Sequence, residues 1–126
     1  MTVTRRVNAV SFPAGGDLSS NQFCIVAMSA EGRVVVNGGM ATANLGILLN
    51  KPSATDEAAE VAVNGSIVKM IASAAINENA AIAAQVSGHG SATTTNNEYI
   101  VGYARSPASG TGVLFEVLVD CDRFNS

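Results

Sequence analysis

Reactive side chains are sparse in this 126-residue chain, and their spacing decides what chemistry they could perform. His89 is the only histidine and stands between Gly88 and Gly90. Nucleophilic catalysis of the Ser-His-Asp kind needs a positioned serine beside such an imidazole, and no G-x-S-x-G turn occurs. A mononuclear zinc centre needs clustered thiolates and imidazoles. Cys24, Cys121 and His89 show neither C-x-x-C nor H-x-x-x-H spacing. His89 is therefore expected to be an exposed loop histidine with no catalytic or metal role.

Asp56, Glu57 and Glu60 form the densest carboxylate group, but no D-x-D-x-D-G loop encloses them. They read as a solvated loop rather than a Ca²⁺ cage or an acid–base pair. Asp120-Cys121-Asp122-Arg123 reads as a solvated chain end. Gly88-His89-Gly90 and Gly110-Thr111-Gly112 lack the following helix and the lysine that a phosphate cradle uses. The expectation is a protein that is not an enzyme and holds no cofactor or metal.

The elements around these residues have the pattern of an all-β chain. Residues 22–28, 33–36, 45–50, 60–63, 66–71, 98–105 and 113–120 read as strands, separated by Gly, Pro, Asn and Ser turns. Asn64-Gly65 lies between two of them, and Asn and Gly best tolerate the positive φ of a type I′ turn, so a two-residue hairpin is expected there. Hairpins are also expected from 22–28 to 33–36 and from 98–105 to 113–120. In the last strand Val113, Phe115, Val117 and Val119 alternate with Leu114, Glu116, Leu118 and Asp120. Both faces of its first half are apolar, which suits a central strand or one whose outer face meets another subunit. The Ala-rich residues 72–84 allow a short strand or a short helix, and residues 87–97 read as a Gly/Ser/Thr/Asn-rich loop. The fold class is a small β-sandwich or barrel of short antiparallel strands in residues 22–126. Residues 1–21 show no lasting period and are expected to form an extended N-terminal arm.

Size and composition set the frame. A chain of 12.8 kDa suits one domain with roughly 6,300 Å² of accessible surface. The apolar residues are rich in Ala and Val, with six aromatics (four Phe, two Tyr) and no Trp, so a thin sandwich, a narrow barrel or burial completed by a partner chain is expected. Charged residues make up 13% and the net charge is −3, a surface that favours self-association. The basic residues are scattered, which makes nucleic acid an unexpected partner. No apolar run or leader pattern points to a membrane or to secretion, so a product of the cytoplasm is expected. In that compartment Cys24 and Cys121 are expected to be reduced, although both lie in strands that could become neighbours.

Taken together, Asn44-Leu45-Gly46-Ile47-Leu48-Leu49-Asn50-Lys51-Pro52, Ala58-Ala59-Glu60-Val61-Ala62-Val63-Asn64-Gly65, Ile100-Val101-Gly102-Tyr103-Ala104 and Phe115-Glu116-Val117-Leu118-Val119 resemble the small capsid cement, or head-decoration, proteins of tailed phages. The order of a G-I-L strand, a V-x-V-x-G segment, a V-G-x-A strand and an E-V-L strand carries the resemblance over about residues 22–120. It implies a compact β domain on the exterior of the expanded head, often a homotrimer, that binds the major capsid protein and reinforces the shell against internal DNA pressure. The extended arm suggests the contact: Val3, Arg5, Arg6, Val7, Val10 and Phe12 can pair with a strand edge and fill shallow pockets on an acidic shell. A glycan- or host-surface-binding module on a virion is the alternative, although such modules usually present Trp or Tyr platforms.

Overall fold

The computed structural model describes residues 7–39, 43–94 and 98–123. It is all-β, with two five-stranded antiparallel sheets packed against each other. The strands are β1 (Ala9–Pro13), β2 (Ile25–Met28), β3 (Val34–Val36), β4 (Gly46–Leu48), β5 (Ala58–Ala62), β6 (Ile67–Ile71), β7 (Ala81–Ala84), β8 (Gly90–Ala92), β9 (Tyr99–Ala104) and β10 (Leu114–Arg123). One sheet has the order β1-β5-β4-β2-β3 and the other β6-β10-β9-β7-β8. The only helical element among the described residues is a 3-10 turn at Val86–Gly88.

Period-two patterning produces the strands, and tertiary pairing selects their partners. In β10 Phe115, Val117 and Val119 are buried while Leu114 and Asp120 are exposed, and the strand lies between β6 and β9 as a central strand should. The β2–β3 and β9–β10 hairpins form as expected. The Ala-rich stretch resolves into β7, and the Gly/Ser/Thr-rich stretch contributes β8, which pairs with it.

Two expectations are corrected. Asn64-Gly65 does not close a hairpin, because β5 and β6 belong to different sheets. Of the two residues, Gly65 alone has a positive φ, 94°, so the turn is not type I′. The Asn64 Oδ1 accepts from the Cys121 N–H at 2.8 Å, and the Gly65 N–H donates to the Val119 carbonyl at 2.9 Å. The turn is thereby held to β10 and carries the chain from one sheet to the other. The second correction concerns the arm. Residues 9–13 form β1, paired with β5 from Ala9↔Ala62 to Pro13↔Ala58, and Ala14 and Leu18 are core residues. The apolar positions Val10, Phe12 and Ala14 alternate with Ser11 and Pro13, a strand signal too short to stand out before the Gly-Gly break.

The second half of the chain repeats the first. Relabelled within its own half, each sheet has the strand order 1-5-4-2-3. The registers coincide pair by pair. Ile25↔Ile47 and Ile47↔Ala62 correspond to Ala81↔Tyr103 and Tyr103↔Leu118. Val26↔Val36 corresponds to Ile82↔Ala92, and Pro13↔Ala58 to Ile71↔Leu114. Even the loops agree. The Phe23 N–H donates to Leu48 O and the Asn79 N–H to Ala104 O, with φ of 68° and 67° at the two donors.

Each half also curls on itself in the same way. Ala14, directly after β1, makes a parallel bridge to Val34 on the far edge of its sheet, and Ala72, after β6, does the same with Gly90. The Gly15 N–H donates to Val34 O and the Ser73 N–H to Gly90 O, both at 2.8 Å. Each sheet is thereby drawn into a small barrel with little room inside, which is why Ala, Val and Leu fill it. Ala14, Leu18, Val26, Val34, Leu48 and Val61 pack inside the first barrel. Ala72, Ile76, Ile82, Gly90, Ala104 and Val117 are their counterparts in the second, with Met70 and Phe115 filling the space beside Gly90. The central glycines obey one steric rule: a Cβ on Gly46 would collide with the Ala62 carbonyl, and a Cβ on Gly102 with the Leu118 carbonyl.

Candidate functional site

The polar residues capable of chemistry are dispersed. His89 is half-buried between the 3-10 turn and β8, and its carbonyl accepts from the Gln85 N–H at 2.8 Å. The expected acidic group is divided among three partners. Asp56 meets Arg33, with Nε at 2.8 Å from Oδ1 and Nη2 at 3.4 Å from Oδ2. Glu57 accepts from the Ser53 N–H at 3.0 Å and from its hydroxyl, and Glu60 accepts from the Ser11 hydroxyl at 2.8 Å. The hydrogen bond from Arg33 holds the Asp56 carboxyl below its ordinary value, and the same contact raises the guanidinium. Asp17 is lowered by the Ser19 hydroxyl and N–H. Among the described residues no three His, Cys, Asp or Glu side chains converge as a metal site would require.

The cysteines are free thiols in separate settings. Cys24 is buried, and desolvation raises its pKa against the opposing effect of Asn21. Cys121 is pushed up to about 11, first by burial and then by the neighbouring Asp120 charge. Its sulfur lies 3.8 Å from Leu45 O and 3.9 Å from Val101 O, at the junction of the two halves. A thiol held protonated in this way is a packing residue rather than a nucleophile.

What the surface offers is apolar contact. Val7, Val10, Met28 and Leu114 are exposed at 54%, 45%, 39% and 44%. Val7 and Val10 flank the start of β1, the end strand of its sheet, which is joined to the opposite edge past Pro13 through the Ala14–Val34 bridge. Phe12, by contrast, packs against the core of the first barrel and is held in the domain. Val3, Arg5 and Arg6 lie outside the described residues. Met28, Ala43, Asn44 and Leu45 line a recess of about 210 Å³ at one end of the first barrel. The Asn44 side chain is turned away from solvent: its Oδ1 accepts from the Asn37 Nδ2 at 2.6 Å, and its own Nδ2 is buried without a hydrogen-bond partner.

Leu114 and Leu118 were legible in the sequence as the second apolar face of the last strand. Met28 was not, because it ends an apolar run whose other members are buried. Compared with protein-family models and with curated proteins, the chain matches none.

Proposed function

We propose that this protein is a decoration protein of a tailed-phage head, bound to the outer surface of the mature shell as a homo-oligomer and acting by binding rather than catalysis. The observation that carries the reading is the edge strand β1, with Val7 exposed just before it and Arg5 and Arg6 immediately upstream. An edge strand preceded by cations suits a coat protein that offers an acidic surface and a strand to pair with. The four segments of the family resemblance add support, since they coincide with β4, β5, β9 and β10, which lie side by side within the two sheets. A shell lattice also suits a protein poor in charge and rich in exposed apolar positions.

Because residues 9–13 belong to the sheet, the attachment segment is residues 3–7, and Phe12 is excluded from it. The test is co-sedimentation of purified protein with mature heads and with procapsids. Binding to mature heads alone is expected, and deletion of residues 2–6 should weaken it at least about tenfold, or about 1.4 kcal/mol, without lowering the melting temperature. Absence of binding to either particle, or retention on a glycan surface instead, would overturn the reading. Undiminished binding by the truncated protein would transfer attachment to the barrel loops.

A further inference from the structure

Two copies of one fold in a single chain provide an internal control. Where equivalent positions differ in burial, the difference marks what one half covers on the other. Val68 is 8% exposed and Ala84 1%, whereas their counterparts Val10 and Met28 are 45% and 39% exposed. These positions lie at one end of each barrel, where β6 begins and β7 ends in the second half and where β1 begins and β2 ends in the first. The opposite asymmetry appears on the outer walls. Ile25, Ile47 and Ala62 are fully buried, and their counterparts Ala81, Tyr103 and Leu118 are only half-buried.

The two asymmetries describe one contact. The end of the second barrel is stoppered by the outer wall of the first, and Ile25, Ile47, Ala62, Val68 and Ala84 share a single apolar cluster. The Ile71 N–H donates to Phe23 O at 3.2 Å across the junction. Gly88 is drawn so close that a Cβ there would lie 2.8 Å from Ile25 O and 2.9 Å from Val36 Cγ1. The packing is head-to-tail, so each chain is left with one unused copy of each surface: the open end of the first barrel, and the bare wall of the second.

We propose that these two surfaces bind each other between copies of this chain, the Ala81-Tyr103-Leu118 wall of one copy closing the Val10-Met28 end of the next. The occupant is a second copy because the chain already contains the complementary surface in the required form. Gly32 repeats the φ of Gly88, 77° in both, yet has nothing within 4 Å of its would-be Cβ, so room for an approaching wall is present. Tyr103 stands at the register position of Ile47, the middle of the wall, and the end it would meet contains the recess lined by Met28, Ala43, Asn44 and Leu45. Its ring suits that largely apolar recess. One junction bond does not repeat: the counterpart of Ile71 is Pro13, which has no N–H, so the contact between copies is weaker than the one within the chain.

Such a contact is heterologous and either closes into a ring or propagates. Closed at three copies, it presents six barrels in a ring. It is a property of the chain itself and holds whether or not a capsid is the partner.

The experiment is sedimentation velocity of the full chain without capsids. Wild type is expected to associate at high micromolar concentration, and Met28→Glu and Leu118→Glu each to be monomeric with unchanged β-sheet circular dichroism. An equimolar mixture of the two variants retains one intact contact and should form 1:1 dimers and nothing larger. If Leu118→Glu fails to fold, Tyr103→Lys takes its place in the mixture. A monomeric wild type, variants that still associate, or a mixture that stays monomeric would each overturn the proposal.

Discussion

Replacing Gly32 and Gly88 with alanine, one at a time, separates the backbone cost of a turn from the packing of one half on the other. Both residues have a φ of 77° at corresponding turns, where a left-handed alanine costs about 1–2 kcal/mol. At Gly32 that is the whole effect in the monomer, since no atom lies within 4 Å of the new Cβ. At Gly88 the Cβ would press on Ile25 O at 2.8 Å, Val36 Cγ1 at 2.9 Å and Cys24 Cβ at 3.1 Å. Two of those neighbours are a backbone oxygen and a Cβ, which cannot swing aside, so crowding adds about 1–3 kcal/mol. With about 4 °C per kcal/mol for a domain of this size, Gly32→Ala should melt about 4–8 °C below wild type and Gly88→Ala about 8–20 °C below. Thermal melts followed by circular dichroism at submicromolar protein, where copies do not associate, give both numbers. Equal melting temperatures for the two variants would refute the claim that the halves meet at Gly88.

Three further outcomes follow from the same packing. Ile47→Ala should cost about 2–5 kcal/mol in a denaturant titration, because Ile47 is fully buried at the junction, while Tyr103→Ala at the corresponding position should cost the monomer much less. Cys121 should react slowly with a thiol reagent in the native state near pH 8; since its folded pKa is raised to about 11, stability should be intact below the ordinary thiol pKa and fall as pH rises from there toward 11. Asp56 has a lowered pKa, so its ion pair with Arg33 contributes above the ordinary carboxylate value and is lost as pH falls below it; Asp56→Asn should flatten the acid limb of the stability profile, and high salt should mimic part of that change.

The sequence alone determined the class of the protein and the identity of most strands. Period-two alternation in EVAV, IVKM and VLFEVLVD is a local property, and the Gly, Pro and Asn breaks between such segments need no knowledge of partners. The β2–β3 and β9–β10 hairpins were legible for the same reason, because short connections leave adjacent strands little choice but to pair. The apolar second face of the last strand was equally visible, and it places Leu118 on the surface that the copies are proposed to share.

Tertiary structure decided the rest, because it depends on competition among distant partners. Asn64-Gly65 sits between two strands whose pattern suits a hairpin, yet β5 is already flanked by β1 and β4, so β6 crosses over to join β10. The segment from Val7 to Leu18 looks too polar and broken to order, but β5 offers it an edge and the barrel offers Ala14 and Leu18 a core. The duplication was hidden because a narrow barrel accepts many small apolar residues at each inner position. Identity persists at few places, among them Gly32 with Gly88, Gly46 with Gly102, and Glu60-Val61 with Glu116-Val117. Gly46 and Gly102 are fixed because a Cβ there would strike a carbonyl, and Gly32 and Gly88 are favoured by their positive φ, local demands that sequence can reveal only once the fold is known. Which barrel end is closed and which wall is bare is a property of neither half alone, and only their packing against each other determined it.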